Sequence, residues 1–240
     1  AYNALLFDHP ELFWLTMTGG VFQYSYYKDF FSADTYKVRF HLTEEFADRD
    51  ERVKEFEAAA AALLSEIDLT QSKPRIAMQI HDALIERVSY DKVLVGSDEA
   101  DLAHTAYGAL VCNSRGEACT AVCDGYSYAY EYLLQKVGIP CIVVAGRAGE
   151  YPESAGSHSW NLVKLDDDWY EVDSTWNDIT VGNAETDGDS FSDLAAEALI
   201  DDEYMDLLHH FLFNVTTDEI SHFVPDEQYR YTTILGWVSF

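Results

Sequence analysis

The sequence is poor in basic residues. Its 240 residues include 15 Lys and Arg against 43 Asp and Glu, which gives a formal net charge of −28. Lys and Arg are entirely missing between Lys164 and Arg230. A field of this sign repels phosphate backbones and anionic lipid surfaces, so we expect no nucleic-acid partner. A cationic or cell-wall-associated partner is compatible with the charge, and so is an acidic surface that only keeps the protein soluble.

Long hydrophobic runs are missing as well. No stretch approaches the roughly 18 apolar residues that a membrane-spanning helix needs, so we expect no membrane span. The chain begins at Ala1 and lacks the charged and then apolar pattern of a signal peptide. This segment therefore neither indicates nor excludes export.

The usual metal-binding motifs are absent from the four cysteines and eight histidines. The chain has no C-x-x-C and no H-E-x-x-H, and the adjacent His209 and His210 are expected to point apart. We therefore predict no metal and no other cofactor. Cys112 and Cys119 flank a loop and are compatible with a small disulfide in an exported protein, and Cys119 is alternatively a redox partner for Cys123.

Helical and alternating segments are grouped along the chain, which favours an α+β fold. "VFQYSYYKDF" and "DTYKVRFHL" alternate as a strand pair, and "KPRIAMQIHDALIERVSYD" has apolar residues at helical spacing. We predict an N-terminal accessory region over residues 1–70. A catalytic domain with an acidic C-terminal extension is predicted over residues 71–240.

Cys123 begins a predicted helix, "CDGYSYAYEYLLQKVGIP", which Gly138 and Pro140 terminate. A thiol at a helix N-terminus has more of the nucleophilic thiolate form, and the N–H groups there can stabilise an oxyanion. Cys123 thus has the location of a nucleophile, although a buried, inert cysteine is the commoner case.

A base and an orienting carboxylate for this thiol are predicted on a hairpin. His158 opens "HSWNLVKL", and Asp173 lies near the end of "DWYEVDSTW". If Leu165 pairs with Asp168, then His158 pairs with Thr175 and Asp173 is its diagonal neighbour on the same face. A carboxylate in that place would hold one ring nitrogen and leave the other facing the thiol. Trp160 shares the face of His158, as a wall of a cleft or as a core residue.

These stretches resemble the transglutaminase-like superfamily, and its bacterial members in particular. The resemblance lies in the Cys-x-Gly-Tyr helix, the His-x-Trp-Asn strand and "WYEVDSTW", and it continues through "IHDALIERVSYD" and "AYGALV". It implies a papain-like α+β fold in which the nucleophile begins a helix packed on an antiparallel sheet. By position, the resemblance assigns the nucleophile to Cys123, the general base and acid to His158, and the orienting carboxylate to Asp173. Tyr107 is expected to line the cleft with Trp160. Tyr107 and Tyr90 are also alternatives for a second oxyanion donor, or simply packing residues.

The resemblance implies acyl transfer from a peptide or carboxamide bond through a thioester, with hydrolysis favoured over transamidation. The expected substrate is a protein or peptide, and the expected location is extracellular or at the cell surface. The alternative is a non-catalytic module on the same fold that binds protein or cell wall. In that case Cys123 would behave as an ordinary thiol.

Overall fold

The computed structural model describes residues 6–16, 22–28, 36–42, 48–94, 101–148, 156–178 and 202–222. In these ranges the helices are α1 (Phe13–Thr16), α2 (Arg49–Leu64), α3 (Lys73–Ile85), α4 (Ala106–Leu110), α5 (Cys123–Lys136), α6 (Ser174–Asn177), α7 (Asp202–His209) and α8 (Thr217–His222). Short 3₁₀ turns cover Pro10–Leu12 and Leu102–His104. The strands are β1 (Phe22–Lys28), β2 (Tyr36–Leu42), β3 (Ser89–Tyr90), β4 (Thr120–Ala121), β5 (Cys141–Ala148), β6 (Gly156–Leu165), β7 (Asp168–Val172) and β8 (Phe213–Val215).

The described strands form three sheets. The predicted N-terminal pair, β1 and β2, is antiparallel, while the short β3 and β4 are parallel. The largest sheet has four antiparallel strands in the order β5-β6-β7-β8. Helix α5 packs against β5 and β6 of this sheet. The predicted α+β class is therefore confirmed, whereas the division at residue 70 stays a prediction.

Helix α5 is the centre of the core. Its inward face carries the fully buried Tyr126, Tyr130, Leu133 and Leu134, and α3 packs across it. The helix ends as the sequence predicts, because Gly138 adopts a positive φ of 76° and the N–H of Ile139 returns to the carbonyl of Leu134. The helix is therefore fixed at both faces and at its end, which also fixes the position of its first residue.

The hairpin of β6 and β7 has the predicted register at its turn, with Leu165 opposite Asp168. The prediction that the second strand continues to Thr175 is wrong. Strand β7 ends at Val172, and α6 begins at once because one carboxylate oxygen of Asp173 accepts the N–H groups of Thr175 and Trp176. Asp173 is the N-cap of a short helix, and N-cap residues stop the preceding extended structure.

A membrane-spanning helix, long and apolar enough to cross a bilayer, does not occur among the described residues.

Glu131 is an ionisable residue on the buried face of α5. It is 1% exposed, and Oε2 has no hydrogen-bond partner among the described residues. Burial, together with the nearby Asp8 and Glu11, raises the pKa of Glu131 from 4.5 to about 9. Since the unfolded chain loses this proton at much lower pH, the stability contributed by the neutral carboxyl falls as the pH rises between these two values.

We expect Glu131→Gln to stabilise the protein, by up to about 3 kcal/mol at pH 7, because the neutral amide removes the cost of holding a proton. The measurement is urea unfolding of both proteins at pH 5 and pH 8. The difference between variant and wild type is expected to be larger at pH 8. Glu86→Gln is the matched control, because Glu86 is exposed at the end of α3. An equal difference at both pH values would contradict the assignment of a buried, protonated Glu131.

Candidate active site

Three elements bring Cys123, His158 and Asp173 together. Cys123 is the first residue of α5, His158 lies on β6, and Asp173 follows the last residue of β7. His158 Nε2 lies 2.6 Å from Asp173 Oδ2. The side chain of Cys123 lies close enough to the ring to raise the pKa of His158. The imidazole is thus held between thiol and carboxylate. The catalytic roles of the three residues stay a prediction.

The charge state of His158 follows from these neighbours. Burial acts to lower the pKa of His158, but the charge and hydrogen bond of Asp173, together with those of Cys123, outweigh burial and raise it to about 10. The ring is therefore an imidazolium at neutral pH. A positive charge therefore lies beside the sulfur of Cys123.

Asp173 uses its two carboxylate oxygens for different partners. Oδ2 faces His158, while Oδ1 accepts the N–H groups of Thr175 and Trp176 at 3.1 Å each. Asp173 is fully buried. The same side chain therefore starts α6 and orients the imidazole, so the direction of α6 and the position of Oδ2 are mechanically linked.

Two residues of the recognised motifs tie these elements to α5. Asn161 on β6 donates from Nδ2 to the carbonyl oxygen of Ser127 at 3.0 Å. The Tyr126 hydroxyl lies 2.6 Å from Asp178 Oδ2, just beyond α6. Burial raises the pKa of Asp178 to about 6, and the hydrogen bond with Tyr126 opposes this effect by stabilising the carboxylate. The strand of His158 and the turn of Asp173 are each fastened to the helix of Cys123.

Gly125 allows the start of α5 to lie against the 3₁₀ turn at Leu102–His104. A Cβ atom at this position would overlap the carbonyl oxygen of Ala103 and lie 2.8 Å from the Cβ of Ala121. The glycine of the Cys-x-Gly motif is thus needed for close packing beside the thiol.

A second acidic group lies next to the thiol in sequence. The carboxylate of Asp124 is paired with His104, whose Nδ1 lies 2.9 Å from Asp124 Oδ2. The hydrogen bond to Asp124 raises the pKa of His104, although burial opposes it. The pair offsets the negative charge of Asp124 while His104 is protonated.

The aromatic residues predicted for a cleft occupy different surroundings. Trp160 is buried, stacks near His158 at a centroid distance of 6.1 Å, and donates its indole N–H to Glu171. Tyr107 is buried against Phe13, and its hydroxyl lies 2.7 Å from Glu55 Oε2. A role for either residue in a cleft stays a prediction.

Trp176 was not predicted from the sequence as a site residue. Its ring centroid lies 5.5 Å from that of His158, and the residue is 40% exposed. It therefore presents an apolar surface to solvent beside the imidazole. Its presence in "DSTW" close to Asp173 was the available signal.

His81, Asp82 and His210 form a further polar cluster, in which one potential ligand atom from each residue lies within 4.8 Å of the others. His81 was not predicted from the sequence as a site residue, although a histidine on the apolar face of α3 was a signal of a specifically bonded ring. All four cysteines are free thiols, so neither disulfide alternative is present in this structure.

Part of the chain matches a known protein family. Residues 61–174 match the family model of the transglutaminase-like superfamily, and this range includes Cys123, His158 and Asp173. The expected resemblance to this superfamily is therefore confirmed over these residues.

Individual relatives are more distant. The kyphoscoliosis peptidases of Mus musculus and Homo sapiens are each 34% identical over 61 aligned residues, which cover 22% of this chain and 9% of each relative. Among solved structures, a TGase has a TM-score of 0.43 and 18% identity over 67% of this chain and 40% of its own. A candidate cysteine protease from Cytophaga hutchinsonii has a TM-score of 0.38 and 12% identity over 64% of this chain and 62% of its own.

Proposed function

We propose that the protein is a cysteine-dependent acyl-transfer enzyme that acts on peptide or carboxamide bonds, with hydrolysis as its main reaction. The observation that carries this proposal is the His158 ring, held between Cys123 and Asp173 with its pKa raised to about 10. A thiol with an adjacent base and a third group orienting that base is the arrangement of an activated nucleophile.

The first half of the reaction forms an acyl-enzyme. The Cys123 thiolate attacks the carbonyl carbon, and the backbone N–H of Cys123 at the start of α5, with another donor, stabilises the tetrahedral oxyanion. The His158 imidazolium gives its proton to the leaving amine as the C–N bond breaks. A thioester on Cys123 and a free amine result, and His158 is left neutral.

The second half regenerates the Cys123 thiolate and the His158 imidazolium. Neutral His158 takes a proton from water as the water oxygen attacks the thioester, and the carboxylic acid leaves. A primary amine in place of water would give transamidation by the same steps.

The aligned region of the kyphoscoliosis peptidases is 9% of their length, so we carry over no activity of those whole proteins. A protein or peptide substrate and an extracellular or cell-surface location remain part of the proposal.

Trapping of the acyl-enzyme tests this function. The protein is mixed with a panel of peptides and glutamine donors, with and without a primary amine, and intact mass spectrometry follows adducts over time. We expect an acyl adduct on Cys123 that water removes, together with a released carboxylic acid. Conversion mainly to an amide in the presence of amine would instead identify a transamidase. A complete lack of adducts, combined with an ordinary thiol titration of Cys123, would favour a binding module.

A further inference from the structure

His81 is a fully buried histidine outside the proposed catalytic triad, and both of its ring nitrogens are bonded. On α3, its Nδ1 lies 3.0 Å from Asp82 Oδ1. Its Nε2 lies 3.0 Å from the side-chain nitrogen of Asn177, the last residue of α6. A buried polar ring is costly unless its partners are specific. The contact joins two segments that lie 96 positions apart in the chain.

The protonation of His81 can be read from its partners. Asn177 Oδ1 accepts the backbone N–H of Leu212 at 2.9 Å, so the amide group of Asn177 turns its NH₂ towards His81. Nε2 must then be the acceptor, and the single proton of a neutral ring lies on Nδ1 and is donated to Asp82. Burial lowers the pKa of His81, which agrees with a neutral ring.

This tautomer argues against a metal ion at His81, Asp82 and His210. A metal would need the lone pair of His81 Nδ1, but that nitrogen carries the proton. His210 Nε2 lies 2.8 Å from the same Asp82 oxygen, and His210 Nδ1 lies 2.8 Å from the carbonyl oxygen of Asp206. Asp82 is therefore an acceptor shared by two histidines, and it anchors the His81 ring from α3.

Asn177 connects this anchor to Asp173. Helix α6 is a single turn, and the backbone N–H of Asn177 donates to the carbonyl of Asp173 at 3.1 Å. At the other end of the turn, the backbone N–H of Asp173 donates to the carbonyl of Leu212 at 3.0 Å. Rotation of so short a helix would move the Asp173 carboxylate away from His158. Fixing Asn177 therefore fixes the direction of Oδ2.

We propose that His81 and Asn177 are positioning residues for the Asp173–His158 pair: the neutral, Asp82-anchored imidazole of His81 accepts a hydrogen bond from Asn177 and so holds the turn that carries Asp173. The role rests on the proposed function. The bonds of His81 and Asn177 run to Asp82, to each other and to Leu212, which distinguishes their role from that of the catalytic groups.

Two amide substitutions separate the two bonds of His81. In His81→Gln the amide reaches the place of Nε2, and its oxygen can accept from Asn177. In His81→Asn the amide reaches only the place of Nδ1 and keeps the bond to Asp82. For His81→Gln, we expect the rate at which Cys123 reacts with iodoacetate to stay within about threefold of the wild-type rate. For His81→Asn, we expect this rate to fall by about 10- to 100-fold, since small misplacements of catalytic groups have effects of this size.

The probe is carboxymethylation of Cys123 by iodoacetate, compared with the neutral iodoacetamide, followed by mass spectrometry from pH 5 to about pH 11. The thiolate displaces iodide from either reagent, but only the anionic reagent is attracted by the His158 imidazolium. Trypsin leaves Cys119 and Cys123 together in residues 116–136, so fragment spectra must assign the label. In wild type the preference for iodoacetate is expected to vanish as the pH passes the His158 pKa of about 10.

In His81→Asn this loss of preference is expected at lower pH, because a displaced Asp173 no longer holds the imidazolium. Asn177→Ala, which leaves His81 and Asp82 in place, is expected to give the same shift and serves if His81→Asn fails to fold. Leu63→Ala removes a buried side chain from α2 and controls for a general loss of stability, which lowers the melting temperature without moving the pH profile.

Three results would overturn the proposal. They are equal effects of His81→Gln and His81→Asn, an unshifted profile in His81→Asn and Asn177→Ala, or Zn²⁺ binding by wild type that His210→Ala abolishes. A wild-type Cys123 without any preference for iodoacetate is a different result. It would reject the proposed function, and it would do so before any variant is compared.

Discussion

Cys123→Ala is expected to abolish acyl transfer, with a loss of about 10⁴-fold or more, because the reaction has no other route to a thioester. The fold should persist, since the thiol is only half-buried at the start of α5 and alanine is well accepted in a helix. Product formation, measured with any donor found by acyl-enzyme trapping, checks the loss of activity. Circular dichroism and thermal unfolding check the fold.

Cys119→Ala is the matched control, because Cys119 is another half-buried free thiol and lies only four positions earlier. Burial raises the pKa of Cys119, which disfavours its thiolate at neutral pH. We therefore expect Cys119→Ala to keep nearly full activity and fast labelling at Cys123. Activity that survives in Cys123→Ala and is lost in Cys119→Ala would show that Cys119, and not Cys123, is the nucleophile.

Replacement of Asp173 is expected to have the second largest effect. Asp173→Ala should lower acyl transfer by about 10³- to 10⁴-fold, because the carboxylate both orients the imidazole and stabilises its charge. Without the carboxylate, the pKa of His158 should fall, since burial then meets less opposition. The alkaline limit of the iodoacetate preference at Cys123 is therefore expected at lower pH than the wild-type limit.

Asp173→Asn distinguishes orientation from charge. An asparagine has one acceptor oxygen, whereas Asp173 uses one oxygen for the N–H groups of Thr175 and Trp176 and the other for His158. We expect activity between that of wild type and that of Asp173→Ala. A wild-type rate and pH profile in Asp173→Ala would show that this carboxylate does not orient the base.

The same interaction gives a sign for stability. The pKa of His158 is higher in the folded protein than in the unfolded chain, so folding retains a proton that the unfolded chain releases near pH 6.5. The stabilising contribution is complete below that pH. It is lost as the pH rises through the folded-state pKa of about 10.

Local sequence signals predicted the parts of the site that depend on neighbouring residues. The helix from Cys123 to its end before Gly138 follows from apolar spacing and a terminating glycine, and the pairing of Leu165 with Asp168 follows from hairpin length. Both are present in the structure. The prediction that β7 extends to Thr175 is wrong, because the strong N-cap preference of aspartate outweighs the alternating pattern. The sequence D-S-T-W contained that signal.

The contacts that hold the site could not be read from local patterns. His81 and Asn177 meet across 96 positions, and the backbone of Leu212 reaches α6 from a segment whose structure was the least predictable. Helical spacing places His81 on a buried face but says nothing about its partner. Tertiary packing alone decides which of several polar residues it meets.

One consequence concerns how much of the chain is needed to hold the site together. The superfamily match ends at residue 174, so a protein shortened there would still contain the sulfur, the imidazole and the carboxylate. It would lack Leu212. The carbonyl oxygen of Leu212 accepts the backbone N–H of Asp173, and its N–H donates to Asn177 Oδ1. The stretch that matches the superfamily is thus shorter than the stretch that holds Asp173 in place, because the main chain at Leu212 lies outside the match.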